Sequence, residues 1–112
     1  MGVQEKAKAF GIQTAKYYLQ LKEKKYFDIA SQFFRSGTSI GANLAEAQRA
    51  PSKKDFIHKL TLALKEAEET RYWLDILQEG FGEEVEDLRA SCEELIKILV
   101  IIIKNTKKNI SP

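Results

Sequence analysis

The segment 35–50, RSGTSIGANLAEAQRA, decides how this chain folds. Gly37 and Gly41 each disfavour a helix by about 1 kcal/mol relative to Ala. Yet Phe33, Gly37, Ile40, Leu44 and Ala47 fall on one face at helical spacing. Glycines on the apolar face of a helix make sense where a neighbouring backbone comes close. Gly37, Gly41 and Ala45 recur every four residues, so the sequence predicts a tightly packed bundle helix from about Asp28. That helix ends before Pro51, because the residue preceding a proline is pushed out of the α region. Beside Arg35, a polar stripe of Ser36, Ser39, Asn43 and Glu46 occupies another side, at spacings of three, four and three. These groups either hydrogen-bond to adjacent helices and fix register, as a buried Asn does in a coiled coil, or contact a ligand or nucleic acid.

Working outward, Ala7, Phe10, Thr14, Tyr17 and Leu21 form one stripe of a first helix from about Gln4 to Lys22. Downstream, Ser52 reads as an N-cap, with Asp55 acidic in the first turn. Phe56, Leu60, Ala63, Ala67, Thr70, Leu74 and Leu77 then carry a third helix, which Gly80 and Gly82 are expected to end. Leu88, Cys92, Leu95, Leu99, Ile102 and Thr106 mark a fourth, from about Glu83. The run 96–103, IKILVIII, has strand propensity, but a lone strand among four helices has nothing to pair with, so it is assigned to the fourth helix. Short connections and the absence of hairpin signals predict an all-α, up-down-up-down antiparallel four-helix bundle, a single domain over residues 1–112.

Composition narrows the function classes. A single cysteine, Cys92, excludes an intramolecular disulfide and fits a reducing cytoplasm. The longest apolar run, Ile98 to Ile103, is far short of the roughly 20 residues a membrane helix needs. A di-iron site is excluded because the one histidine, His58, has no Glu three residues before it. His58 and Asp55, one turn apart, read as a surface contact, and Cys92 as a small core residue. No catalytic residue, metal, cofactor or small-molecule substrate is expected.

The net charge of +2 is too small for a purely electrostatic nucleic-acid protein, so charge distribution decides. In an alternating bundle, Arg49, Lys53, Lys54, Lys104, Lys107 and Lys108 gather at one end with Lys6 and Lys8. Glu79, Glu83, Glu84, Glu86 and Asp87 gather at the other, near Lys22, Lys24 and Lys25. Lys6, Lys8, Lys53 and Lys54 lie near helix N-termini, where the helix dipole disfavours cations. The basic end is thus a candidate phosphate-attracting face for RNA or DNA. The third helix also carries Ile57, Leu62, Leu64, Tyr72, Trp73 and Ile76 beyond its stripe, and the fourth Ile98, Val100, Ile101 and Ile103. That apolar excess predicts cover by other copies of the chain, with Leu62, Trp73, Ile76, Ile98 and Ile101 as interface residues.

The segment 35–50, followed by SKKDFIHKLTLALKEAEETRYWLDIL, resembles the four-helix-bundle family named for proteins encoded in intervening sequences of bacterial 23S ribosomal RNA genes. That family also includes accessory proteins of diversity-generating retroelements. The resemblance is centred on Tyr26 to Gly80 and rests on Arg35, Ser36, Ser39, Gly41, Asn43 and Glu46, then Asp55, Phe56, Lys65, Glu66, Glu69 and Trp73. Many relatives have Gly where this chain has Ala47, which leaves the motif helical for longer here. The resemblance implies an up-down bundle, a ring-shaped homo-oligomer, a pentamer by preference, and nucleic-acid binding.

Overall fold

Four helices make up the fold: α1 (Val3–Glu23), α2 (Phe27–Ala47), α3 (Lys53–Phe81) and α4 (Glu86–Lys108). The structure, a computed structural model, describes residues 1–108 and measures 51 × 24 × 22 Å along its principal axes. The helices bury most of the stripes their sequence marks, with Phe56 of α3 and Leu88, Ile102 and Thr106 of α4 only partly buried. On α1 the buried stripe is Ala7, Phe10, Thr14, Tyr17 and Leu21, residue for residue as expected. α2 buries Phe33, Gly37, Ile40, Leu44 and Ala47, joined by Ile29, Ala30 and Ser36. On α4 the buried stripe is Cys92, Leu95, Ile96, Leu99 and Ile103, so Ile103 takes the place expected of Ile102, and the β-branched run is helical throughout. Each fully buried Phe, Leu or Ile contributes roughly 1.5–3 kcal/mol, so this common core outweighs the weak propensity of 96–103.

Cross-helix pairs establish the topology. Tyr17 meets Phe33, and a side chain at Gly37 would meet Thr14, so α1 and α2 run in opposite directions. Ser36 pairs with Thr70 and Glu46 with Lys59 across α2 and α3. Cys92 meets Ala67, and Arg89 meets Asp75 and Gln78, across α3 and α4. Lys6 pairs with Glu94 and Tyr17 with Glu83, so α4 returns antiparallel to α1, across the sparsest of the four seams. The chain therefore winds up, down, up and down.

The corners depart from expectation in detail. Gly80 stays helical, and α3 ends only at Gly82, whose φ of 70° lies in the left-handed region that glycine enters without steric cost. Its connection, 82–85, delays α4 to Glu86 rather than Glu83, with Val85 buried in the core. Glu83 is spent on a clamp instead. Tyr17 Oη donates to one of its oxygens at 2.6 Å and Lys24 Nζ to the other at 2.6 Å. The Lys24 bond, then that of Tyr17, holds the Glu83 carboxyl below the usual range. Burial, then the Glu83 carboxylate, pushes the Tyr17 phenol up. At the first corner Lys25 takes φ 66°, an uncommon conformation for a residue with a side chain.

Candidate nucleic-acid interface

The antiparallel order puts the N-termini of α1 and α3 and the C-termini of α2 and α4 at one end. Arg49 lies in the α2–α3 connection, Lys53 and Lys54 in the first turn of α3, and Lys104, Lys107 and Lys108 in the last turns of α4. All six are exposed. Arg49, Lys54, Lys104, Lys107 and Lys108 make no ion pair among the described residues. Lys6, by contrast, is 2.8 Å from Glu94, which removes it from the surplus.

Two acidic residues at this end hold close partners, whereas exposed Glu5 in the first turn of α1 accepts only from the Gly2 backbone N–H at 3.5 Å. Ser52 caps α3, accepting from the Asp55 backbone N–H at 3.1 Å and donating to its carboxylate at 2.8 Å. Glu46 accepts from Lys59 at 2.6 Å. A shallow depression of about 450 Å³ separates these groups, lined by Glu46, Arg49, Ala50, Pro51, Asp55, His58 and Lys59. His58 is exposed on its wall, and no three His, Cys, Asp or Glu side chains among the described residues converge as a metal site requires.

The polar stripe of α2 divides by chemistry. Ser36 is fully buried, with its hydroxyl 2.9 Å from Thr70 Oγ1 on α3. Ser39 and Asn43 instead hydrogen-bond back to the Arg35 and Ser39 carbonyls, at 2.6 and 2.9 Å, so they do not cross to a neighbour. Arg35 does cross: one guanidinium nitrogen donates to Glu66 at 3.0 Å and the other to Glu69. Trp73 Nε1 donates to the same Glu69 oxygen at 3.1 Å. Burial raises the Glu69 carboxyl, but the bonds from Trp73 and Arg35 together outweigh it and hold it below the usual range. Arg35, Ser36, Glu66, Glu69, Thr70 and Trp73, separated by up to 38 positions, thus form one latch, with Thr70 bonded to Ser36 and to the Glu66 carbonyl. This is the geometry beneath the motif.

A family model for 23S rRNA-intervening sequence proteins matches residues 1–101. The chain belongs to this family. Among solved structures, it is similar to a protein of Bacteroides thetaiotaomicron described as having unknown function, from the S23 ribosomal protein family. The two are 41% identical, with a TM-score of 0.89 over 92% of this chain and 99% of the other. No curated protein matches. The latch lies inside the matched region, and so does the part of the basic end carried by Arg49, Lys53 and Lys54. Lys104, Lys107 and Lys108 follow it.

The sequence-derived interface residues divide as well. Trp73 and Ile76 pack partly buried against the core and Leu62 is half-buried, because α3 lies between α2 and α4 and is covered from both sides; Ile98 of α4 is half-buried too. Ile101 alone among the five is largely exposed. A second apolar stripe, Ile12, Ala15 and Leu19 at spacings of three and four on α1, escaped the sequence reading although its periodicity is present there. Cys92 is fully buried, its thiol 3.3 Å from the Ala67 carbonyl and pushed up to about 12 by burial, as suits a core residue. No helix among the described residues is long and apolar enough to cross a membrane.

Proposed function

We infer that this protein is a cytoplasmic, non-enzymatic bundle that self-assembles and binds structured RNA, or an RNA-containing complex, through its basic end. The observation that carries the reading is the gathering of Arg49, Lys53, Lys54, Lys104, Lys107 and Lys108 on one exposed end, where Glu46 is paired with Lys59 and Asp55 is bonded to Ser52. In a ring of parallel copies, five by the family resemblance, this surplus repeats around one rim. Phosphates approach such a rim by long-range attraction and are held as point charges, so the contacts position a backbone rather than read bases.

A protein–protein scaffold without nucleic-acid contact is the competing reading, favoured by the exposed apolar side chains of α1 and α2. Recovering the tagged protein from its native extract, with and without nuclease treatment, separates the two. RNA in the untreated eluate, and loss of its companion proteins after nuclease, is the expected result. Companion proteins that survive nuclease while no RNA is recovered would favour the scaffold.

A further inference from the structure

The depression at the basic end has a fixed floor and chemically distinct walls. Its floor is the α2–α3 connection, where Ala50 and Pro51 bear short apolar side chains. That connection is a held turn. The Arg49 N–H donates to the Glu46 carbonyl at 3.0 Å and the Ala50 N–H to the Ala47 carbonyl at 3.1 Å, and the ring of Pro51 fixes its own φ. Two exposed planar groups stand on the walls, the Arg49 guanidinium and the His58 imidazole. Two carboxylates share the site, each with one oxygen in use. Glu46 Oε1 accepts from Lys59 and Asp55 Oδ2 from Ser52, so Glu46 Oε2 and Asp55 Oδ1 accept no bond among the described residues.

We propose that this depression receives one unpaired nucleobase of the bound RNA, and that guanine is the base it prefers. This rests on the RNA-binding reading above and names the part of the RNA that the site reads. Charge selects the occupant. The cations around the depression suit phosphate, but within it the carboxylates of Glu46 and Asp55 oppose an anion and favour a neutral group rich in N–H donors. A nucleobase is such a group, and unstacked bases rest on histidine rings and guanidinium planes where an RNA loop offers them. The volume of about 450 Å³ lies within the range of small-molecule sites, about 300–1,000 Å³. Among the four bases, guanine alone sets two adjacent donors, N1–H and the N2 amino group, beside an acceptor, O6. The two open carboxylate oxygens match the donors, and Lys59, whose ammonium has protons beyond the one given to Glu46, matches O6. Adenine and cytosine place a ring-nitrogen lone pair next to their amino group, where it would face a carboxylate. A base inside a duplex has this edge occupied, so the site takes only loops, bulges and ends.

The test measures binding of the full chain, at low and at physiological salt, to hairpin RNAs that share one stem and differ in a single base of an otherwise all-uracil loop. The guanine hairpin should bind about tenfold tighter than its adenine, cytosine or uracil counterparts, and inosine, which lacks the N2 amino group, should fall between. Glu46→Ala should erase most of that preference while binding the uracil hairpin at least as well as wild type, since a negative charge leaves the basic end. His58→Ala should weaken binding of the guanine hairpin about tenfold through lost stacking and leave a blunt duplex unaffected. Both positions are exposed, so the circular dichroism of each variant should match wild type. Equal binding of the four hairpins, or a guanine preference that survives Glu46→Ala, would overturn the base site, while salt-dependent binding in the same titrations would leave the RNA-binding reading standing. Absence of binding to any hairpin at either salt would overturn that reading and the base site with it.

Discussion

Helix α2 packs against α1 and against α3 by opposite means. Its α1 seam is closed by proximity. A side chain at Gly37 would lie 2.7 Å from both Thr14 Cγ2 and Thr14 Oγ1, and the Thr14 hydroxyl has no hydrogen-bond partner among the described residues. Its α3 seam is closed by chemistry, through Ser36 with Thr70 in the interior and Arg35 with Glu66, Glu69 and Trp73 at the edge. The difference teaches how a helix packed on two sides finds one register. The tight seam tolerates no added volume, and the latched seam tolerates no sliding, because a shift of one turn would break every donor–acceptor pair at once. The two glycines of this helix are not equivalent. Gly37 is at the tight contact, whereas a Cβ at Gly41 would meet the Ala7 carbonyl at an ordinary 3.5 Å.

The largest expected effect comes from breaking the tight seam. Gly37→Leu should destabilise by about 1–3 kcal/mol or more through overpacking, despite better helix propensity. Denaturant titration of Gly37→Ala with and without Thr14→Ala sharpens this: the second change should recover much of the loss by removing the obstructing methyl and the unpaired hydroxyl. Equal effects in both backgrounds would place the strain elsewhere.

Next is the interior of the latch. Thr70→Val keeps the shape but leaves the Ser36 hydroxyl only its 3.3 Å bond to the Phe33 carbonyl, and should cost about 1–2 kcal/mol. The rim of the latch is half-exposed at Arg35, so Arg35→Met should cost less, about 0.2–1 kcal/mol, and the loss should shrink in high salt. Acid titration probes the same rim. The folded Glu69 carboxyl lies below its unfolded value near 4.5, so its stabilisation is present above that pH and is lost as pH falls through the folded value. Wild type and Arg35→Met should therefore converge in stability only once the pH has fallen below the folded Glu69 value. A gap that persists there would mean that Arg35 acts by packing.

The smallest effect, and opposite in sign, should come from Gly41→Ala. With ordinary room for a Cβ, the gain in helix propensity should raise stability by about 0.5–1 kcal/mol. A loss comparable to that at Gly37 would erase the distinction between the two glycines.

How much was legible beforehand follows from the range of each interaction. The buried stripes of α1 and α2 were read nearly whole, because period and burial are local properties of a helix. Glycine spacing announced a close seam, but which glycine was closest depended on Thr14, which lies 23 positions from Gly37. The latch was present only as resemblance, since Arg35 and Glu69 meet through the turn of an entire hairpin. An apolar groove between α1 and α2 was missed for a different reason: Ala15 and Gly11 look unremarkable until α2 adds Gly41, Ala42 and Ala45 beside them. Gly80 failed as a stop signal because its cost within a helix is modest, and Phe81 beyond it is held by a ring contact with Tyr26 at 4.8 Å.

The claim that the basic end holds phosphates is tested most directly by the salt dependence of binding to a structured RNA. Wild type should bind with an affinity that falls linearly on a log–log plot, at a slope of about −0.7 to −0.9 per phosphate contacted. Lys53→Glu with Lys54→Glu should flatten that slope by about two contacts and weaken binding on every RNA sequence tried, with helicity and oligomer size unchanged. Wild-type binding that does not respond to salt, or a double variant with the wild-type slope, would contradict the account.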